Sequence, residues 1–89
     1  MPWVQIPPPF RGPTRGAERV EVRGSCVREC LEHLASQFLG FREQVFDAEG
    51  KAQRFIKLFV NGVEIPRSAL ETPVEADGRI EILAAVAGG

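Results

Sequence analysis

Two blocks near the start of the chain alternate apolar with polar residues. Trp3-Val4-Gln5-Ile6 and Glu18-Arg19-Val20-Glu21-Val22-Arg23 both have period two, the pattern of strands with one wet face. Pro7-Pro8-Pro9 ends the first block, because proline has no amide donor for a ladder. Residues 11–16, rich in glycine and proline, predict the loop of a hairpin. After Gly24-Ser25 the period changes. Val27, Leu31, Leu34 and Phe38 follow at spacings of four, three and four, within about 60° of one helix face at about 100° per residue. Arg28, Glu29 and Glu32 fall elsewhere on that helix. Ser25 is the expected N-cap and Gly40 the expected stop. Residues 41–46 predict a further short helical turn, which Asp47-Ala48-Glu49-Gly50 breaks.

Residues 55–60 are apolar on both faces apart from Lys57, which predicts a central strand covered by the helix. Asn61-Gly62 is a strong hairpin signal, because a type I′ turn needs positive φ at both positions. Val63-Glu64-Ile65 returns as a short strand and Pro66 stops it. Ala76-Asp77-Gly78 predicts another turn, residues 79–86 the last strand, and the sequence closes on Ala87-Gly88-Gly89. Hairpin, helix, hairpin and final strand predict an α+β fold of the β-grasp (ubiquitin-like) type: a mixed sheet of four to five strands with one main helix across it.

Eighty-nine residues make one domain, 1–89, since domains run from about 50 to 250 residues. A chain this short has little depth for a catalytic cleft, so a binding or carrier module is expected before an enzyme. Eleven basic against twelve acidic side chains leave a net charge of −1. That argues against nucleic-acid binding, which needs a basic face, and against a polybasic membrane anchor. No apolar run approaches the roughly 20 residues of a membrane span. The opening MPWVQIPPP lacks a charged n-region with an apolar h-region, so no secretion signal is expected. Two cysteines cannot hold a four-thiolate iron–sulfur cluster. The expected compartment is the cytoplasm, with reduced thiols.

The closing Gly88-Gly89 offers the most specific chemistry. Without a Cβ, a glycine backbone enters a channel too narrow for other residues. A carboxylate on such a thread can be delivered to an active site and turned into a good electrophile by adenylation. Against this stands the plain reading of a floppy terminus.

The sequence resembles the ThiS/MoaD-type ubiquitin-like sulfur carriers over nearly its whole length. The resemblance is carried by Val4-Gln5-Ile6-Pro7, residues 22–27, residues 46–51, the string R-F-x-x-x-F-V-N-G at residues 54–62, and Asp77-Gly78, Ile80 and Ile82 before Ala85-Val86-Ala87-Gly88-Gly89. It implies that an E1-like adenylating and sulfurating enzyme, using ATP, converts the carboxyl of Gly89 to a thiocarboxylate. That group then donates sulfide to a synthase. It implies further that Gly88, Ala87 and Val86 lie in a partner's channel, that Phe59 and Ala85 meet partners, and that this chain binds no cofactor or metal. A protease joins the partners where a longer precursor has to be cut back to Gly-Gly. The chain lacks the tyrosine expected near the start of the small subunit of molybdopterin synthase, and its opening Ile6-Pro7-Pro8-Pro9-Phe10-Arg11 and its Ala85-Val86-Ala87-Gly88-Gly89 end look more like carriers of cysteine or secondary-metabolite pathways. A ubiquitin-like modifier forming isopeptide bonds would use the same Gly89. A plain interaction module with an inert tail is the third reading.

Cys26, Cys30 and His33 share one helix flank, yet a zinc site wants a fourth ligand and no other Cys or His exists. Cβ atoms at i and i+4 stand about 5–6 Å apart, poorly placed for a disulfide. Cys30 therefore reads as a small core hydrophobe and His33 as a surface residue. Phe59 is either core with its strand neighbours or part of the sheet face that one helix leaves open, where an apolar residue marks a partner site.

Overall fold

The computed structural model describes residues 1–12 and 14–84. Five strands form one sheet: β1 (Trp3–Gln5), β2 (Arg19–Glu21), β3 (Ile56–Val60), β4 (Val63–Ile65) and β5 (Arg79–Ala84), in the order β2-β1-β5-β3-β4. β1 runs antiparallel to β2 and parallel to β5, while β3 runs antiparallel to both β5 and β4. Two helices, α1 (Val27–Gln37) and the short α2 (Phe41–Val45), connect β2 to β3. This is the β-grasp arrangement. β3 is an interior strand, as its pattern predicts, between β4 and β5, and the middle of the sheet is β5. The local pattern of residues 55–60 reports burial, but the centre is set by the parallel pairing of the chain's first and last strands, Val4 opposite Ile80.

One sheet face is dry. Val4, Leu58, Ile80 and Ile82 meet Val27, Cys30, Leu31 and Leu34 of α1 in a single core, to which α2 adds Phe41 and Val45. Phe38, the fourth residue of the predicted stripe, is only half-buried, because α1 ends at Gln37 and Phe38 already has extended backbone. Phe10 packs edge-on against Phe41 and Phe55, with ring centroids 6.5 and 6.4 Å apart. Asn61 and Gly62 take φ of 50° and 85°, the left-handed pair that the β3–β4 turn requires.

The start of α1 differs from the expected serine cap. Cys26 holds the N-cap position with no side-chain cap bond. Two of the helix's free amides instead donate to another segment: Val27 N–H to Thr72 O at 3.0 Å and Arg28 N–H to Leu70 O at 2.8 Å. Ser25 sits one residue earlier, where its N–H and hydroxyl donate to Glu29 Oε1 at 2.8 and 2.9 Å. These bonds hold the Glu29 carboxyl below its ordinary range. A helix start satisfied by tertiary backbone has no need of a capping side chain. The same segment, which has no clear periodicity, sinks Leu70 and Val74 into the core. Gly24 shows how tight the junction is: a Cβ there would stand 2.7 Å from Cys30 N and 2.8 Å from Glu29 Cβ.

Candidate functional site

The other sheet face is open. Strand register places Trp3 and Gln5 of β1, Arg19 and Glu21 of β2, Lys57 and Phe59 of β3, Glu64 of β4, and Arg79, Glu81 and Leu83 of β5 on it. Phe59 lies directly between Glu64 on one neighbouring strand and Glu81 on the other, and it is half-buried. It is thus opposite in phase to the buried Ile56 and Leu58, and not part of the core. Arg79 Nε reaches Glu81 Oε1 at 3.1 Å. The Arg19 guanidinium lies 3.8 Å above the Trp3 ring, a cation–π contact between neighbouring strands. The result is an apolar island in a mosaic of opposite charges. Such a face excludes water around an anchor and orients a partner by its charges.

β5 carries this face towards the end of the chain. Its register is pinned at the far end by Asn61, whose Oδ1 accepts Arg79 N–H at 2.8 Å while its own N–H donates to Arg79 O at 2.8 Å. At the near end Lys57 pairs with Leu83 and Ile56 with Ala84. Leu83 is 46% exposed and Phe55, just before β3, is 41% exposed. The last described residues of β5 therefore lie beside two apolar side chains and the exposed Lys57. Ala85, Val86, Ala87, Gly88 and Gly89, the tail positions singled out by the sequence, lie outside the described residues.

Trp3, Leu83 and the carboxylates flanking Phe59 escaped the sequence reading. A signal for Leu83 existed, since it stands in the phase of Arg79 and Glu81, where a polar residue belongs. The flanking acids had none, because cross-strand neighbours are set by register.

Among the described residues the helix side offers no rival centre. A groove of about 450 Å³ lies among Arg28, Glu32, Arg42, Glu43, Phe46, Asp47 and Gln53, and most of its charges pair with one another or with neighbours. Arg28 Nε bonds Glu71 at 2.6 Å, Arg42 pairs with Glu32, and Asp47 approaches Arg67 at 3.5 Å. Cys30 is fully buried, and burial above all pushes its thiol up to about 11, which leaves it inert as a nucleophile. His33 is half-buried, and its Nδ1 accepts the Arg23 N–H at 2.9 Å, so it anchors the strand-to-helix connection. Among the described residues no group of three or more potential metal-ligating side chains comes together. No helix there is long and apolar enough to cross a membrane.

Comparisons with known proteins agree with this geometry. Residues 10–89 match the ThiS family. A chain of the Amycolatopsis orientalis BexX/CysO complex is 34% identical, with full coverage of both chains and a TM-score of 0.90. Mycobacterium tuberculosis CysO, an antigen, is 28% identical over 97% of this chain and 100% of its own, with a TM-score of 0.88. SAMP1 from Haloferax volcanii shares the fold at 21% identity and a TM-score of 0.79, over 99% of this chain and 98% of its own. No protein of curated function matches the sequence.

Proposed function

The chain belongs to the ThiS family, and from that premise we propose that it is a sulfur carrier, a protein cosubstrate whose Gly89 carboxyl is the cargo site. The observation that carries this reading is the extent of the match: the family likeness runs through Gly89, and a 34% identical chain is covered from end to end. In the proposed cycle an E1-like partner brings ATP. A carboxylate oxygen of Gly89 attacks the α-phosphorus, pyrophosphate leaves, and an acyl-adenylate results. Sulfide then attacks the acyl carbon, AMP departs, and a thiocarboxylate remains for a synthase of cysteine or of another sulfur-containing metabolite. The matched chain of the BexX/CysO complex and Mycobacterium tuberculosis CysO share more identity with this chain than SAMP1 does, which supports this acceptor class over protein modification. Gly88, Ala87 and Val86 fill the partner's channel, and Ala85 and Phe59 belong to the surface that docks. The chain binds no cofactor of its own and works in the cytoplasm.

Intact mass spectrometry tests the cycle. After incubation with ATP, an E1-like enzyme and a sulfide source, the chain should gain the mass difference between sulfur and oxygen, localised to Gly89. Gain of a whole sulfur atom at Cys26 or Cys30 would make it a persulfide carrier. Conjugates on other proteins' lysines, without the thiocarboxylate, would make it a modifier.

Recognition has its own test. An apolar anchor in an interface commonly contributes about 2 kcal/mol, roughly thirtyfold in affinity, whereas a core phenylalanine cut to alanine costs about 3–5 kcal/mol of stability. Phe59 is half-buried on the open face, so Phe59→Ala should weaken binding to the activating enzyme about thirtyfold while shifting the thermal midpoint much less than a core truncation. A collapse of stability with unchanged affinity in the folded fraction would remove Phe59 from the interface.

A further inference from the structure

The sheet ends on two edges, β2 and β4. Along β2, Glu18 O accepts Ile6 N–H at 2.8 Å, Val22 N–H donates to Pro2 O at 2.9 Å, and Val20 stands opposite Val4. Main-chain groups of successive residues in an antiparallel strand point to opposite sides. Residues 18, 20 and 22 therefore face β1, while Arg19 and Glu21 direct their N–H and C=O groups outward. Among the described residues nothing takes those groups. The edge is closed on either side of them: Ala17 N–H donates to Thr14 O at 3.1 Å and Arg23 N–H to His33 Nδ1 at 2.9 Å. What stays open is one short stretch with a cation at one outward position and an anion at the other, both exposed.

Such an edge is complementary to itself in one register. Antiparallel pairing joins outward groups only to outward groups, which leaves symmetric registers centred on Arg19, on Val20 or on Glu21. The first sets two guanidinium groups opposite each other and the last two carboxylates, and like charges directly opposite are destabilising. Centred on Val20, the pairing sets Arg19 opposite Glu21 of the second copy and Glu21 opposite its Arg19, and each of these pairs exchanges both hydrogen bonds. The half-buried Val20 meets its own copy at the axis, in a pair of the type that brings side chains closest. Glu18, the next acid along the edge, is already beside Arg11 at 3.8 Å. We propose that β2 is a self-pairing edge, the two-fold interface through which two copies of this chain join. β4 is no substitute. Its two-residue turn makes Val60 and Val63 the closing pair, so Glu64 alone points outward, and a symmetric pair centred there sets two carboxylates together. Pairing β2 with β4 of another copy uses a single outward pair and does not close. Directly opposite residues share a face, so the two open faces, each with its Phe59, become one side of a continuous sheet of five strands from each copy. A pairing this short buries less than the roughly 1,200 Å² at which stable interfaces begin, so the dimer is weak and forms as concentration rises. The inference does not depend on the carrier reading.

Sedimentation equilibrium of the full chain from about 10 µM to about 1 mM, a span suited to weak affinities, should show monomer and dimer in exchange, with less dimer in high salt. On dilution the amide resonances of Arg19 and Glu21 should move most, together with the indole of Trp3, which lies 3.8 Å from the Arg19 guanidinium. Arg19→Glu and Glu21→Arg should each weaken self-association at least about tenfold, because like charges then meet across the interface. Mixed with each other, the two variants are complementary at both pairs and should associate as the parent does. A folding defect cannot produce that rescue. A parent chain that stays monomeric throughout, single variants that dimerise undiminished, a mixture that stays monomeric, or dilution shifts centred on Phe59 or Glu64 would overturn the proposal. Species growing beyond the dimer would overturn it too, since they require head-to-tail contacts.

Discussion

Gly88→Val should leave the fold intact and lower adenylation of Gly89 by about a hundredfold or more. The described ladder of β5 ends at Ala84, four positions before the substitution, so no pairing and no core contact described in the fold is removed. What changes is the thread. Valine is β-branched and stiff about χ1, and its Cβ occupies space that a channel shaped for glycine does not provide. A displacement of about 1 Å at a reacting centre can cost on the order of a hundredfold in rate. The measurement is ATP–pyrophosphate exchange with the activating enzyme, alongside a thermal melt of the variant. Exchange at the parent rate would show that the partner has no narrow channel and that recognition rests on the sheet face alone.

Leu34→Ala should destabilise the fold by about 2–5 kcal/mol. Leu34 is fully buried on the face that meets Leu58, Ile80 and Ile82, and removing such a side chain costs about 2–5 kcal/mol through lost burial and a residual cavity. Small domains have about 5–15 kcal/mol in total, so the variant should sit near the edge of folding at physiological temperature. Urea denaturation should show a lowered midpoint with an unchanged slope. A loss below about 0.5 kcal/mol, the size of a surface effect, would contradict the packing of α1 on the sheet. The two variants separate the functions of the chain: one removes reactivity with the body intact, the other removes the body with the tail chemistry intact.

Local chemistry made much of this protein legible before any coordinates. The period of two at Val20 and Val22, the four-three-four spacing from Val27 to Phe38 and the Asn61-Gly62 turn each act within a few residues, so the elements they encode could be read directly. The order of those elements implied the β-grasp fold, and the family resemblance carried by the glycine pair and the motifs before it implied the carrier chemistry. Tertiary structure decided the rest, because it brings together residues far apart in sequence. The parallel pairing of β1 with β5 put β5 in the middle of the sheet, with β3 beside it. Carbonyls of Leu70 and Thr72 replaced the expected Ser25 cap. Register alone placed Glu64 and Glu81 on either side of Phe59 and Lys57 opposite Leu83. A sequence pattern states which side of a strand is dry, but what stands across from each residue depends on how the strands align, and that alignment is settled only when the whole core closes.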